Sequence, residues 1–181
     1  MPPCANSLHK TAHVGFDGAQ GMSLESVRAH FERLGLDVPI LVTTESTATV
    51  ALAAAAHGVP PGRIAKTLAF RLNSGEVLLL VAAGDVRVDH GRFKQVFGKG
   101  KMLGADEVVA LTGHPVGGVC PFGLATDLPI YLDESLRAHE ELLPAAGSID
   151  SAVRMPMALL AEVTQGQWVQ VCTAPVAPSA A

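Results

Sequence analysis

The sequence predicts a single α+β domain built on a mixed or antiparallel sheet able to curl into a barrel. Three observations predict it. The chain has 181 residues, 49% of them hydrophobic and 17% charged, enough to bury a core in one domain without staples. Its two strongest β-type runs, "IAKTLAFRL" and "EVLLLVAA", flank the turn signal "NSG" and read as a hairpin. Helical segments are interspersed irregularly among the strands instead of alternating with them, and no repeat of fixed period is present.

The elements follow in order. "SLESVRAHFERLG" places Leu24, Val27, Phe31 and Leu34 at helical spacing, with Ser23 to cap its start and Gly35 to end it. "VPILV" reads as a short buried strand. "STATVALAAAAHG" is a second helix, opened by threonines and closed by Gly58, and "VPPG" turns the chain into the hairpin. "DHGRFKQVFG" is a helix capped by Asp89, and "ADEVVALTG" a short helix ending near Gly113. "PIYL" is a strand and Asp133 opens a helix. "AVRM" is a strand, "PMALLAEVTQG" a helix with Pro156 in its first turn, and "WVQVC" a closing strand. Residues 1–21 read as an extension or an alternative start before Met22, 22–172 as the domain, and the Pro-rich 173–181 as a loose tail.

Composition excludes several classes. A formal charge of −4 argues against a general nucleic-acid coat, so any such contact must use a local basic patch. Cys4, Cys120 and Cys172 are odd in number and widely spaced, which is neither a disulfide framework nor a metal knuckle. Reduced thiols, no signal peptide and no apolar run of membrane length point to a cytoplasmic protein. His9 and His13 lie near Cys4 without an evident scaffold for a metal. His30, His57, His90 and His139 read as surface residues, and the pairs Asp106–Glu107 and Glu140–Glu141 as solvated helix faces.

Three features carry candidate chemistry. Lys66 is one cation in an apolar strand, either snorkelling from an edge or functional. Arg87, Arg92, Lys94, Lys99 and Lys101, offset by Asp85 and Asp89, form the basic segment, an ordinary solvated run or the local phosphate contact. The stretch "GHPVGGVCPFGL", residues 113–124, holds glycines and prolines that forbid regular structure. Its backbone N–H groups can bind an oxyanion or a ribose hydroxyl, or it is a tight structural turn. Cys120 and His114 within it form a nucleophile–base pair only if the fold brings them together and lowers the thiol pKa.

Three blocks occur in order: "STATVALAAAAHGVPPGRIAKTLAF" (46–70), "TGHPVGGVCPFGL" (112–124) and "AAGSIDSAVRM" (145–155). Together they resemble the YbaK-like family of aminoacyl-tRNA deacylases, relatives of the editing domain inserted in bacterial prolyl-tRNA synthetases, over about residues 22–172. The resemblance implies a single α+β domain around a mixed, barrel-like sheet. It implies hydrolysis of the ester between a wrong amino acid and the 3′ end of a tRNA, without metal or other cofactor, and an aminoacyl-tRNA synthetase as a further partner. Lys66 stands at the family's essential lysine and Gly117 at its loop glycine. Thr44, Thr47, Gly118, Val119, Cys120, Pro121, Phe122 and Gly123 fall on the substrate-holding positions, with Cys120 expected as a pocket-wall residue where many members carry Ser. Some cysteine-removing members carry an acid near Ala152, which this chain lacks. The amino acid removed is left open among Ala, Ser, Thr and Cys, and tRNA for proline is the family's usual substrate. Two rivals remain: a non-catalytic aminoacyl-adenosine or tRNA binder, and a Cys120/His114 thiol hydrolase.

Overall fold

A computed structural model describes residues 18–175; the expectations for Cys4, His9, His13 and the chain beyond 175 fall outside the described residues. The expected hairpin is the centre of the fold. β2 (Ile64–Leu72) and β3 (Val77–Ala83) pair antiparallel from Ala65↔Ala83 to Arg71↔Val77. β5 (Ile130–Asp133) runs parallel to β3, and β9 (Gln167–Val169) parallel to β5. On the other side β6 (Glu141–Pro144) runs parallel to β2, and β8 (Met155–Pro156) antiparallel to β6. β4 (Gly100–Met102) pairs with the far end of β2. This mixed sheet is open at β8 and β9, a curled half-barrel. A second ladder, β1 (Ile40–Val42) with β7 (Ser151–Val153), joins it through the Ala145↔Ala152 bridge.

The helices form where caps allow. α2 (Val50–His57) starts at Thr49, whose side chain accepts from the Leu52 amide at 3.2 Å, and ends at Gly58 with φ 63°. α3 (His90–Phe97) is capped by Asp89, which accepts from the Arg92 amide at 3.0 Å. α4 (Ala105–Thr112) ends at Gly113 and α5 (Met157–Thr164) follows Pro156. Phe93 bridges Phe70 and Phe97, with ring centroids 4.7 and 5.0 Å away, and Phe97 meets Tyr131 edge-on. Val27, Phe31, Leu80, Leu132, Leu142, Met155 and Phe122 fill the main core. Among the described residues no helix is long and apolar enough to cross a membrane.

Four expectations are corrected. α1 runs Gly18–Arg33, so Ser23 lies inside the helix instead of capping it, and the expected 21/22 boundary falls within α1. Asp133 opens only a 3-10 turn, Glu134–Ala138. Its carboxylate is also engaged elsewhere: Oδ2 accepts from the Val171 and Cys172 amides at 2.9 and 3.1 Å. Glu141 is no helix-face residue but the first residue of β6, and it binds the guanidinium groups of Arg63 and Arg154. β4 and β6 were missed because three or four residues are too few to show a period.

Candidate active site

A cavity of about 310 Å³ lies between β2, the start of α2, the β4–α4 connection and the 113–124 loop. Ala65, Thr67 and Ala69 alternate along β2 and share one face, as strand geometry requires. Opposite them stand Gly117 and Val119, with Thr47 and Ala48 at one end and Met102, Leu103 and Val108 at the other. Ala145, Ser151 and Ala152 close the floor. The walls are mostly apolar, and among the described residues no carboxylate lines them.

The loop's shape follows from its glycines. Gly117 sits at φ 93°, and a Cβ there would lie 2.7 Å from the Ala48 Cβ. A Cβ on Gly118 would lie 2.8 Å from the Ser148 carbonyl carbon. Both glycines therefore let the loop backbone press against its neighbours. The Gly118 amide is spent on the Pro115 carbonyl at 2.9 Å, and the Gly118 carbonyl accepts from Gly147. The Gly117 and Val119 amides, flanking it, have no hydrogen-bond partner among the described residues.

Cys120 is not on this wall. It is fully buried, as is Phe122, and both pack in the core behind the loop, Phe122 against Phe31 with centroids 4.9 Å apart. The expected pocket-wall position is corrected accordingly: Val119 and Cys120 point to opposite sides, and Val119 takes the cavity. Pro121 is buried, Gly123 packs against the Ser26 carbonyl of α1, and neither lines the cavity. Thr44 is exposed and away from it, whereas Thr47 lines it, buried, with its hydroxyl donating to the Ile149 carbonyl at 3.0 Å.

The fold does bring Cys120 and His114 together, with Sγ 3.5 Å from Nε2, both inaccessible to solvent. The surrounding bonds nevertheless disable the pair. His114 Nε2 lies 2.7 Å from the Phe122 carbonyl, which can only accept, so Nε2 carries the proton. Nδ1 then accepts from the Ser23 hydroxyl at 2.5 Å. A neutral imidazole in this tautomer has no lone pair facing the thiol. Burial lowers the His114 pKa and pushes the Cys120 thiol up to about 12. Iodoacetamide at pH 8 is therefore expected to leave Cys120 unlabelled in the folded protein and to label it after denaturation, read by peptide mass spectrometry. Rapid labelling of the native state would restore the thiol as a nucleophile.

Lys66 is half-buried in β2 at the cavity, and its neighbour Thr67 points to the other face of the strand. Its ammonium donates to the Gly84 carbonyl at 3.2 Å and to the Val86 carbonyl. Burial lowers its pKa, opposed by Cys172, Asp85 and Asp133. A cation so placed ties β2 to the segment that leaves β3.

The basic segment divides. Arg92 is tied to the body through Nη1 and the Cys172 carbonyl at 2.9 Å. Lys94 and Lys99, both exposed, line a shallow depression with Asn73, His90, Phe93 and Gly100. Lys101, on β4, is exposed next to Met102 of the cavity rim. β4 thus links depression and cavity across three residues, roughly 10 Å. Sequence reading missed Thr67, Ala48, Met102 and Leu103 as wall residues. The Lys66-Thr67 pair and the 145–155 block contained the available signal. Among the described residues no group of three or more His, Cys, Asp or Glu side chains gathers as a metal site would require.

Fold and cavity define a compact domain with a largely apolar pocket whose wall, among the described residues, carries no carboxylate, histidine or cysteine side chain. Comparison with known proteins gives the class its family. The profile of the aminoacyl-tRNA editing domain matches residues 44–163, and the chain belongs to that family. It is 44% identical to the protein YwhH of Bacillus subtilis over 83% of this chain and 98% of that one, a protein without a functional name. It is 27% identical to EbsC of Enterococcus faecalis, named as a candidate Cys-tRNA(Pro)/Cys-tRNA(Cys) deacylase, over 64% of this chain and 72% of that one. A solved structure described as a candidate trans-editing enzyme for prolyl-tRNA synthetase superposes with TM-score 0.77 at 31% identity, covering 84% of this chain and 98% of that one.

Proposed function

We propose that this protein is a trans-editing hydrolase that removes a small wrong amino acid from a mischarged tRNA in the cytoplasm. The observation that carries the reading is the pair of unbonded amides, Gly117 and Val119, on the wall of an apolar cavity. Donors fixed in a dry site stabilise the negative charge that develops on an ester carbonyl oxygen under attack. Water adds to the carbonyl carbon. The neighbouring ribose hydroxyl accepts the water's proton and passes one to the leaving 3′ oxygen, as the family resemblance implies. The carbon–oxygen bond breaks, freeing the amino acid and a tRNA with an intact 3′ hydroxyl. Substrate supplies the base, which fits a cavity lined by no carboxylate and no histidine. Lys66 contributes positive potential.

The names of the relatives support tRNA for proline as the acceptor. Ala152 stands where some cysteine-removing members carry an acid, which leaves the choice among small amino acids open. The test is one tRNA charged in turn with Ala, Ser, Thr, Cys and Pro, with and without chelator. Release of one or more small amino acids, unchanged by chelation, is expected. No turnover of any, or loss in chelator restored by zinc, overturns the respective part of the reading.

The basic depression serves affinity. Lys94→Gln, Lys99→Gln and Lys101→Gln together are expected to raise KM for charged tRNA and to flatten its salt dependence by up to about three counterions, with kcat held. A fall in kcat with an unchanged salt slope removes these lysines from the tRNA path. Arg92→Gln is expected to cost stability as well, because the Cys172 carbonyl loses its donor.

A further inference from the structure

Among the described residues, Thr67 carries the side-chain hydroxyl of the cavity wall that the fold leaves unused. Its hydroxyl oxygen is shut from solvent and has no hydrogen-bond partner among the described residues. The other wall hydroxyls are all engaged. Thr47 donates to the Ile149 carbonyl at 3.0 Å, Thr49 accepts from the Leu52 amide at 3.2 Å, and Ser151 bonds the Ser148 hydroxyl at 2.6 Å. A buried hydroxyl without a partner destabilises the free protein, and valine would fill the same volume in a strand without that cost. Thr67 stands between Ala65 and Ala69 on the face turned to the cavity, where a rotation about its Cα–Cβ bond exchanges hydroxyl and methyl.

From this we infer that Thr67 is a specificity-determining contact whose hydroxyl accepts a hydrogen bond from the α-ammonium group of the aminoacyl substrate. The inference rests on the deacylase reading above. An aminoacyl ester brings two strongly polar groups into the pocket. Its carbonyl oxygen is met by the Gly117 and Val119 amides, which are donors and repel an ammonium. No carboxylate on the wall can take the ammonium. Thr67 has two free lone pairs for it. The pocket thereby distinguishes an aminoacyl ester from an acyl ester of the same shape, because a site built to meet a polar group rejects the analogue that lacks it.

The experiment compares wild type, Thr67→Val and Thr67→Ser on two esters of the same tRNA. One carries the fastest amino acid of the panel. The other carries the acyl group that has hydrogen in place of its amino group. Thr67→Val is expected to lose tenfold or more in kcat/KM on the aminoacyl ester and less than twofold on the des-amino ester, the range for one bond to a charged group. Its Tm is expected to rise, since the orphaned hydroxyl is gone. Thr67→Ser keeps the hydroxyl and is expected to stay within a few-fold of wild type on both. Equal losses on the two esters, or no loss on the aminoacyl ester, overturn the inference. If wild type hydrolyses no ester of the panel, the deacylase reading fails. Binding of a 3′-aminoacylamino-adenosine and its des-amino counterpart then decides Thr67 separately. A wild-type preference for the amino form that Thr67→Val abolishes sustains the contact, and equal or undetectable binding of the two overturns it.

Discussion

Lys66→Ala is expected to slow single-turnover deacylation by roughly a hundredfold or more, about 2–4 kcal/mol, the range for losing one charge-stabilising donor in a water-poor site. In the proposed mechanism the cation acts from an apolar strand, where low effective dielectric extends its field. Its bonds to the Gly84 and Val86 carbonyls add a second effect. Alanine leaves both carbonyls without their donor, so Tm is expected to fall alongside activity. Lys66→Arg separates the two, because a planar guanidinium retains charge yet does not reproduce the compact ammonium between those carbonyls. It is expected to recover stability better than rate. Cys120→Ser, measured beside it, is expected to be mild, since the thiol touches the core and the Phe122 carbonyl and not the cavity. An active Lys66→Ala next to a folded but dead Cys120→Ser reverses the assignment.

Gly117→Ala is the other large effect. The new Cβ would meet the Ala48 Cβ at 2.7 Å and its Cα at 3.0 Å, and φ 93° strains any residue with a side chain. Backbone strain alone costs about 1–3 kcal/mol, and the clash forces the loop away from α2. Displacement of the amides by about 1 Å is enough for a loss of about a hundredfold in rate. The double variant Gly117→Ala with Ala48→Gly removes the Cβ–Cβ clash while keeping the strained φ. Partial recovery of kcat in the pair, with Tm still below wild type, is the expected pattern. A single Gly117→Ala with wild-type kcat removes the loop amides from the reaction.

The hairpin and helices α2 and α3 were legible because each combined a long run with its own punctuation: Asn73-Ser74-Gly75, Thr49 with Gly58, and Asp89 with Gly98. β6 was not, because its strand character comes from pairing with β2 in parallel, nearly eighty residues away along the chain, and no local pattern encodes that. Lys66 and Gly117 were singled out through resemblance, and both stand among the residues around the cavity. Cys120 was misplaced for a physical reason. In an irregular loop no period fixes which way successive side chains point, so adjacent Val119 and Cys120 could not be sorted into wall and core. Thr67 carried no signal of its own, since an unpaired hydroxyl is visible only when every neighbour's bonds are known.

The bond between Ser23 and His114 spans 91 positions of chain. Through His114 it reaches the Phe122 carbonyl, so the first described helix and the 113–124 loop are one assembly. Contacts of such separation form late, after shorter loops have closed. A growing polypeptide can thus lay down α1 and the β2–β3 hairpin long before the pocket exists. The cavity is completed as a late docking event, when the loop closes back on α1.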